Sequence, residues 1–334
     1  MRWWTRSGGP RGYWGARRFH ALDIGSTSIK LLTVRSGAER VRVEAMAVGE
    51  LPAGVMHGHQ LREREVVAAT IRRLVRAIGW KRLPVVVALP GPAVMVRHVV
   101  VRPLGAERLE AAVVREATAI LPDAAERAVL DFQVVRPSPQ NGAYDGAYDG
   151  SYEVVLVAAR RELVQSYTGV IRAAGLEPRA VDVESLALER MFRQSDRQTD
   201  DADAPDTPVA LVHIGARYTA ISVLRGERSA FLGDVPVAAV PGDGAALAEE
   251  VQRVLGLFWS DPSAPLGRVV LSGGASSRGG LAAAFESRLG CAVTIATPFR
   301  RVEVGKRVDR EQLDRLAPVL AVAAGLALRR AHRS

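Results

Sequence analysis

Cysteine is almost missing from this 334-residue chain: Cys291 stands alone, so no intrachain disulfide can form and a reducing compartment is expected. Lysine is nearly as scarce. Lys30, Lys81 and Lys306 are three of the 45 basic residues, and 45 − 3 leaves 42 arginines, an imbalance that reads as coding bias. Aromatics are 5% of the chain, and the arginines are scattered among Glu and Asp. A nucleic-acid surface needs clustered basic residues interleaved with aromatics, so the net charge of +9 is read as solvated surface and no nucleic acid is expected. Long apolar runs are also missing. The most apolar stretch, Leu316–Leu328, contains Pro318 and Gly325 and is too short to span a bilayer, so no transmembrane segment is expected. The N-terminal 1–19 is basic and aromatic without an apolar centre. It is read as an extension and not a secretory leader, although its Arg and Trp residues would also suit an anionic membrane surface.

What is present is periodicity. Ala21–Ile24, Ile29–Val34 and Val41–Ala47 read as a strand meander. Apolar residues at helical spacing mark helices over 63–78, 106–120, 161–174, 246–258 and 317–330. Pro84–Leu89, Val94–Val100, Ala128–Val135, Glu153–Ala158, Val209–Ile214, Thr219–Leu224 and Arg268–Leu271 read as strands. Two segments cannot build a core: the Gly/Ala/Tyr/Asp repeat before Glu153, and the acidic stretch 194–206, which is read as a linker.

The informative stretch is HALDIGSTSIKLLTV, beginning at His20. Asp23, Gly25, Ser26, Thr27, Ser28 and Lys30 crowd the tip between two strands. Taken alone this is a hairpin turn. It recurs, however, as VALVHIGARYTAISVL from Val209, with the same apolar strand, X-Ile-Gly, polar tip and second strand. A repeat at that distance implies two similarly folded halves. Two tips facing one cleft could hold a polyphosphate on their backbone N–H groups, and the strand ending in Ser272–Gly273–Gly274 permits close backbone approach to the same ligand.

These phrases, with VVVALPGPAVMVRHVVV, REATAILPDAAERAVLDFQVV, EVVLVAARRELVQSYTGVIRAAGLEPRAVDVESLALER and LAPVLAVAAGLALRR, resemble the actin and sugar-kinase superfamily. Within it they resemble most the type IV pilus assembly protein PilM family, relatives of the cell-division protein FtsA. The resemblance implies a two-domain, actin-like α/β fold. Residues 20–193 would form the first domain, with an FtsA-like small subdomain inserted over about 85–157, and 207–334 a second, shortened one. It implies a nucleotide site with Asp23, Gly25, Ser26, Thr27, Ser28 and Lys30 in the first phosphate loop, Gly215 and Ala216 in the second, and Gly273 and Gly274 near the adenosine. ATP and Mg²⁺ are the implied cofactors, with Asp23 holding the metal through water.

The implied partners are the tail of an inner-membrane PilN-like protein, other pilus assembly proteins and further copies in a ring. The implied place is the cytoplasmic face of the inner membrane. The family carries an acid where this chain has His213, and imidazole is a poor Mg²⁺ ligand. Weak or absent ATP hydrolysis is therefore expected, with a scaffold role. An active ATPase or kinase on this fold, and the cytoplasmic part of a type II secretion protein, are the alternatives. His57 and His59 flank Gly58 without an evident third ligand, and Cys291, in the apolar CAVTIA, is expected to be a buried inert thiol.

Overall fold

The computed structural model describes residues 18–36, 41–80, 83–105, 107–121, 127–139, 148–195, 207–226, 228–235, 244–258 and 265–329. Its first half opens with a meander, β1 (Arg18–Ile24), β2 (Ser28–Ser36) and β3 (Val41–Glu50), followed by the two-residue strands β4 (Met56–His57) and β5 (Gln60–Leu61). Helix α1 (Arg64–Ala77) buries Val67, Ile71, Leu74 and Val75 on one face. Next come β6 (Pro84–Leu89), a 3₁₀ turn at Gly91–Ala93, β7 (Val94–Val101), α2 (Leu109–Ile120), β8 (Ala128–Pro139), β9 (Tyr148–Arg160), α3 (Arg161–Ala173), β10 (Glu177–Val183) and α4 (Glu184–Ser195). The second half contains β11 (Val209–Ile214), β12 (Thr219–Arg225), β13 (Arg228–Val235), α5 (Gly244–Phe258), β14 (Arg268–Ser272), α6 (Leu281–Leu289) and β15 (Ala292–Ile295). It ends with β16 (Glu303–Val304), α7 (Arg310–Leu316) and α8 (Ala321–Ala327).

The repeat seen in the sequence is a repeat of topology. The first sheet has the order β10-β6-β1-β2-β3-β16 and the second β13-β12-β11-β14-β15. In each, three antiparallel strands are followed by two parallel ones, and a helix precedes each parallel strand. The halves differ where β7, α2, β8 and β9 are inserted between β6 and α3. These strands form a separate sheet ordered β7-β9-β8. The small subdomain therefore begins near Val94 and not at 85, because β6 pairs with β1 in the first sheet.

The chain end crosses back. β16 pairs with β3, and α8 packs on α4 and on β1, β2 and β6, although the sequence reading places all of 207–334 in the second domain. One apolar core joins Leu32, Met191, Leu211, Val270, Phe299 and Leu320, so both sheets share it with α4, α7 and α8. The helix expected over 317–330 is shorter, α8 at Ala321–Ala327, and Pro318, which cannot donate a helical N–H, lies between it and α7. The proposed linker loses 194 and 195 to α4; its remainder, residues 1–17 of the extension, the repeat segment 140–147 and the 236–243 connection lie outside the described residues. Cys291, expected to be buried, is only half-buried, and burial raises its thiol pKa.

Candidate functional site

The two hairpin tips close with the same hydrogen bond. Gly25 N–H donates to the Ser28 carbonyl at 3.0 Å, and Gly215 N–H donates to the Tyr218 carbonyl at 3.0 Å. Backbone crowds Gly215, whereas the nearest neighbour of Gly25 is the end of a lysine side chain. A Cβ on Gly25 would lie 2.8 Å from Lys30 Nζ, and one on Gly215 would lie 2.9 Å from the Tyr218 carbonyl oxygen. Gly273, at φ +94, packs so closely that a Cβ would meet the Ile214 carbonyl at 2.3 Å. The third turn is thus pressed directly against the second loop.

All ten residues expected at a nucleotide site line one cleft of about 660 Å³: Asp23, Gly25, Ser26, Thr27, Ser28, Lys30, Gly215, Ala216, Gly273 and Gly274. Its far end runs between α5 and α6, where Leu247, Glu250, Leu281 and Ala284 face it, with Arg278 on the turn before α6. Such a cleft, with backbone amides and a lysine at one end and aliphatic walls at the other, suits a ligand with an anionic end and an apolar, flat end.

Register gives the chemistry at the floor. Asp23 is opposite Lys30 across β1 and β2, and the two form a largely buried ion pair of 3.2 Å. In the second half His213 takes the place of Asp23, and Ala220 that of Lys30. His213 Nδ1 lies 2.9 Å from Ser272 Oγ, and Nε2 lies 3.5 Å from Glu184 Oε1. Burial, helped by Lys30, lowers the His213 pKa to about 3, so the ring is neutral at neutral pH and its approach to Glu184 is not an ion pair. A ring protonated on Nε2, the side toward Glu184, accepts at Nδ1 from the Ser272 hydroxyl.

Glu184 and Tyr218 were not singled out by sequence. Glu184 begins α4 and lines the cleft. Its Oε2 accepts from the Tyr218 hydroxyl and from Gly91 N–H at 3.3 Å. Burial, then the charge of Asp23, raises its pKa to about 7. Tyr218, its own pKa pushed up by burial, also meets the His59 ring edge-on at 5.3 Å, so the hairpin of β4 and β5 touches the second loop. The one signal for Glu184 is a carboxylate amid the apolar AVDVESLAL. Ser272, His213 and Glu184 form a serine–histidine–acid line, but Ser272 is buried and absent from the cleft wall, so it anchors the ring and is not a nucleophile.

For a metal, Asp23 fits the water-mediated role, since Mg²⁺ needs only one or two carboxylates when phosphate oxygens complete its shell. Among the described residues no three His, Cys, Asp or Glu side chains are grouped to hold a metal by themselves, His57 and His59 included.

A family model for the type IV pilus assembly protein PilM matches residues 21–236 and 244–331 of the chain. A solved PilM–PilN type IV pilus biogenesis complex is similar at 28% identity over 94% of this chain and 98% of that chain, with a TM-score of 0.77. The ethanolamine utilization protein EutJ from Carboxydothermus hydrogenoformans is 14% identical over 93% of this chain and 89% of its own, with a TM-score of 0.50, and shares the fold.

Proposed function

This chain belongs to the type IV pilus assembly protein PilM family and has its actin-like fold, and from that premise we propose that it is a cytoplasmic adaptor of a type IV pilus machine, which binds the N-terminal tail of an inner-membrane PilN-like protein. Through that tail it sits beneath the inner membrane, beside other assembly proteins and further copies arranged in a ring. The observation that carries this reading is the similarity, over 98% of its length, to a chain solved as a PilM–PilN complex.

The tail's place is argued from the small subdomain. One face of its sheet presents Val96, Val155 and Val157 toward Val183 and Leu186 of the first domain. That face continues outward through His98 and Val100, which are exposed. A peptide with apolar side chains on alternate or helical positions would lie there with its backbone partly in water. Titrating the N-terminal peptide of the PilN-like protein into the purified chain tests this. Saturable binding is expected, and no binding at high micromolar concentration would sink the partner assignment.

ATP with Mg²⁺ is proposed as a ligand of the cleft. The phosphates would lie between the Gly25 and Gly215 loops, with Lys30 offering its ammonium and Asp23 a metal-bound water. The base would lie between α5 and α6. Bound Mg²⁺ would supply charge neutralisation at the phosphates. A second reading, active hydrolysis, is favoured by Glu184, a carboxylate facing the cleft that could orient a water. Against it, His213 places a neutral imidazole where charge on the metal side is needed, and losing such a group costs roughly 10²-fold or more in rate. Phosphate release close to background is the expected result; turnover of about 1 s⁻¹, within the ordinary enzyme range, would make the ATPase reading lead.

A further inference from the structure

Glu184 stands where three parts of the molecule meet. It is the first residue of α4, the helix between the two halves. Its neighbours Val183 and Leu186 pack against Val155 and Val157 of the small subdomain's sheet, whereas its own side chain lines the cleft. One carboxylate oxygen, Oε2, accepts two bonds from different directions. The first comes from the hydroxyl of Tyr218, which ends the second hairpin tip. The second comes from Gly91 N–H at 3.3 Å, in the 3₁₀ turn that leads into β7. That turn is the root of the small subdomain, and β13 of the second half also packs on it.

Tyr218 ties the backbone of the tip to this carboxylate. Its carbonyl accepts from Gly215 N–H and closes the tip, while its hydroxyl bonds Glu184. Its ring is held on another side by His59, which meets it edge-on. The His59 carbonyl in turn accepts from the hydroxyl of the buried Tyr167 at 3.4 Å. A ligand whose phosphates order the tip narrows the positions open to Tyr218, then to Glu184 and then to Gly91. Order passed along such a chain couples two sites without a large change of shape. Bonds accepted by a carboxylate are among the stronger hydrogen bonds, which suits them to carry it.

We propose that Tyr218, Glu184 and Gly91 form a coupling line through which occupancy of the cleft fixes the root of the small subdomain. This rests on the nucleotide reading of the cleft. It goes beyond that reading in giving Tyr218 a task that neither phosphate binding nor hydrolysis requires, that of a positioning residue for Gly91. The face proposed for the PilN-like tail includes Val96, a few residues past Gly91, so the state of the cleft reaches the partner's site by this route. Coupling between binding sites is reciprocal, so a tail seated on that face would tighten nucleotide binding by the same factor.

Amide hydrogen exchange of the full chain, with and without ATP and Mg²⁺, tests this beside a calorimetric titration of the same ligand. Saturating ATP and Mg²⁺ should slow exchange in the Gly91–Ala93 turn about fivefold, the lower end of ordinary coupling between sites. Helix α2, which packs on the opposite face of the small subdomain's sheet, should be unchanged. Tyr218→Phe keeps the ring beside His59 and the carbonyl that closes the tip, and removes only the hydroxyl. At ATP concentrations that saturate this variant, the slowing at Gly91 should fall below about twofold. Glu184→Gln still offers one oxygen to the same two donors, so it should retain the wild-type slowing. No ATP binding by the wild type would overturn the nucleotide reading and the coupling with it. ATP binding with unchanged exchange at Gly91, slowing that extends equally over α2, or a Tyr218→Phe variant that responds like the wild type would overturn the coupling alone. So would a Tyr218→Phe variant that no longer binds ATP, since the hydroxyl would then belong to the ligand site itself.

Discussion

Glu184 and His213 titrate in opposite directions, and each gives a prediction. The folded pKa of Glu184, about 7, lies above the ordinary 4.5. The folded state therefore holds this proton more tightly, and the stability it contributes at low pH is lost as pH rises from about 4.5 to about 7, on the order of 3 kcal/mol. Glu184→Gln removes that dependence, so the melting temperature of the variant relative to wild type should rise between about pH 5 and about pH 8. A difference that does not change with pH would contradict the buried, strained carboxylate. For His213 the folded pKa of about 3 lies below 6.5, so its contribution is present above the ordinary histidine range and fades as pH falls. His213→Asp places a second carboxylate beside Glu184. It should lower the stability of the ligand-free protein by about 1–3 kcal/mol and strengthen Mg²⁺-dependent ATP binding, read by melting and by titration with and without Mg²⁺. The loop residues were legible in the sequence because a phosphate-type loop is local: Asp23 to Lys30 lie within one hairpin, and its copy announces itself by X-Ile-Gly. Glu184, Tyr218 and Arg278 were not, because each reaches the cleft from a different element and none has a spacing that gives it away.

Among the elements, glycine separates tight contacts from idle ones. Gly325 of α8 lies so close to α4 that a Cβ would fall 1.8 Å from the Ala187 carbonyl oxygen, beside the bond from Arg190 to the Gly325 carbonyl at 3.0 Å. Gly325→Ala should force the helices apart and cost about 3 kcal/mol or more. Gly169, within α3, has nothing within 4 Å of its Cβ position. Gly169→Ala should raise stability by up to about 1 kcal/mol through helix propensity alone. Denaturant titration of both variants checks the pair, and a similar effect at the two sites would contradict the crossing geometry. Sequence periodicity identified α1 and α3 because each has one wet face and one dry face. It passed over α4, which is buried on several sides and carries Glu184 and Glu189 inside, so its buried residues are not confined to an apolar stripe. Glu189 is held there by Arg193, one turn on in the same helix, and by the Ser229 hydroxyl of β13, a contact that only the tertiary fold supplies. β16, two residues long, offered no pattern to read.

At the scale of the molecule, duplication was visible and closure was not. The repeat fixed two sheets, but nothing local says that residues 303–327 leave the second sheet's side and finish the first. Asp182, fully buried between Arg190 at 3.0 Å and Arg329 at 3.7 Å, ties that returning end to the helix that joins the halves. Because both sheets share one core, heating should give a single cooperative transition by near- and far-ultraviolet dichroism, and two resolved transitions would show that the halves melt separately. The returning end also has a consequence in time. A ribosome makes the chain from its N-terminus, so β3 emerges long before its partner β16 and the helix α8 that covers β1 and β2. At roughly 5–20 residues per second that delay is on the order of tens of seconds, during which the first sheet has an open edge and an uncovered apolar face. The nascent protein must spend that interval shielded by something else.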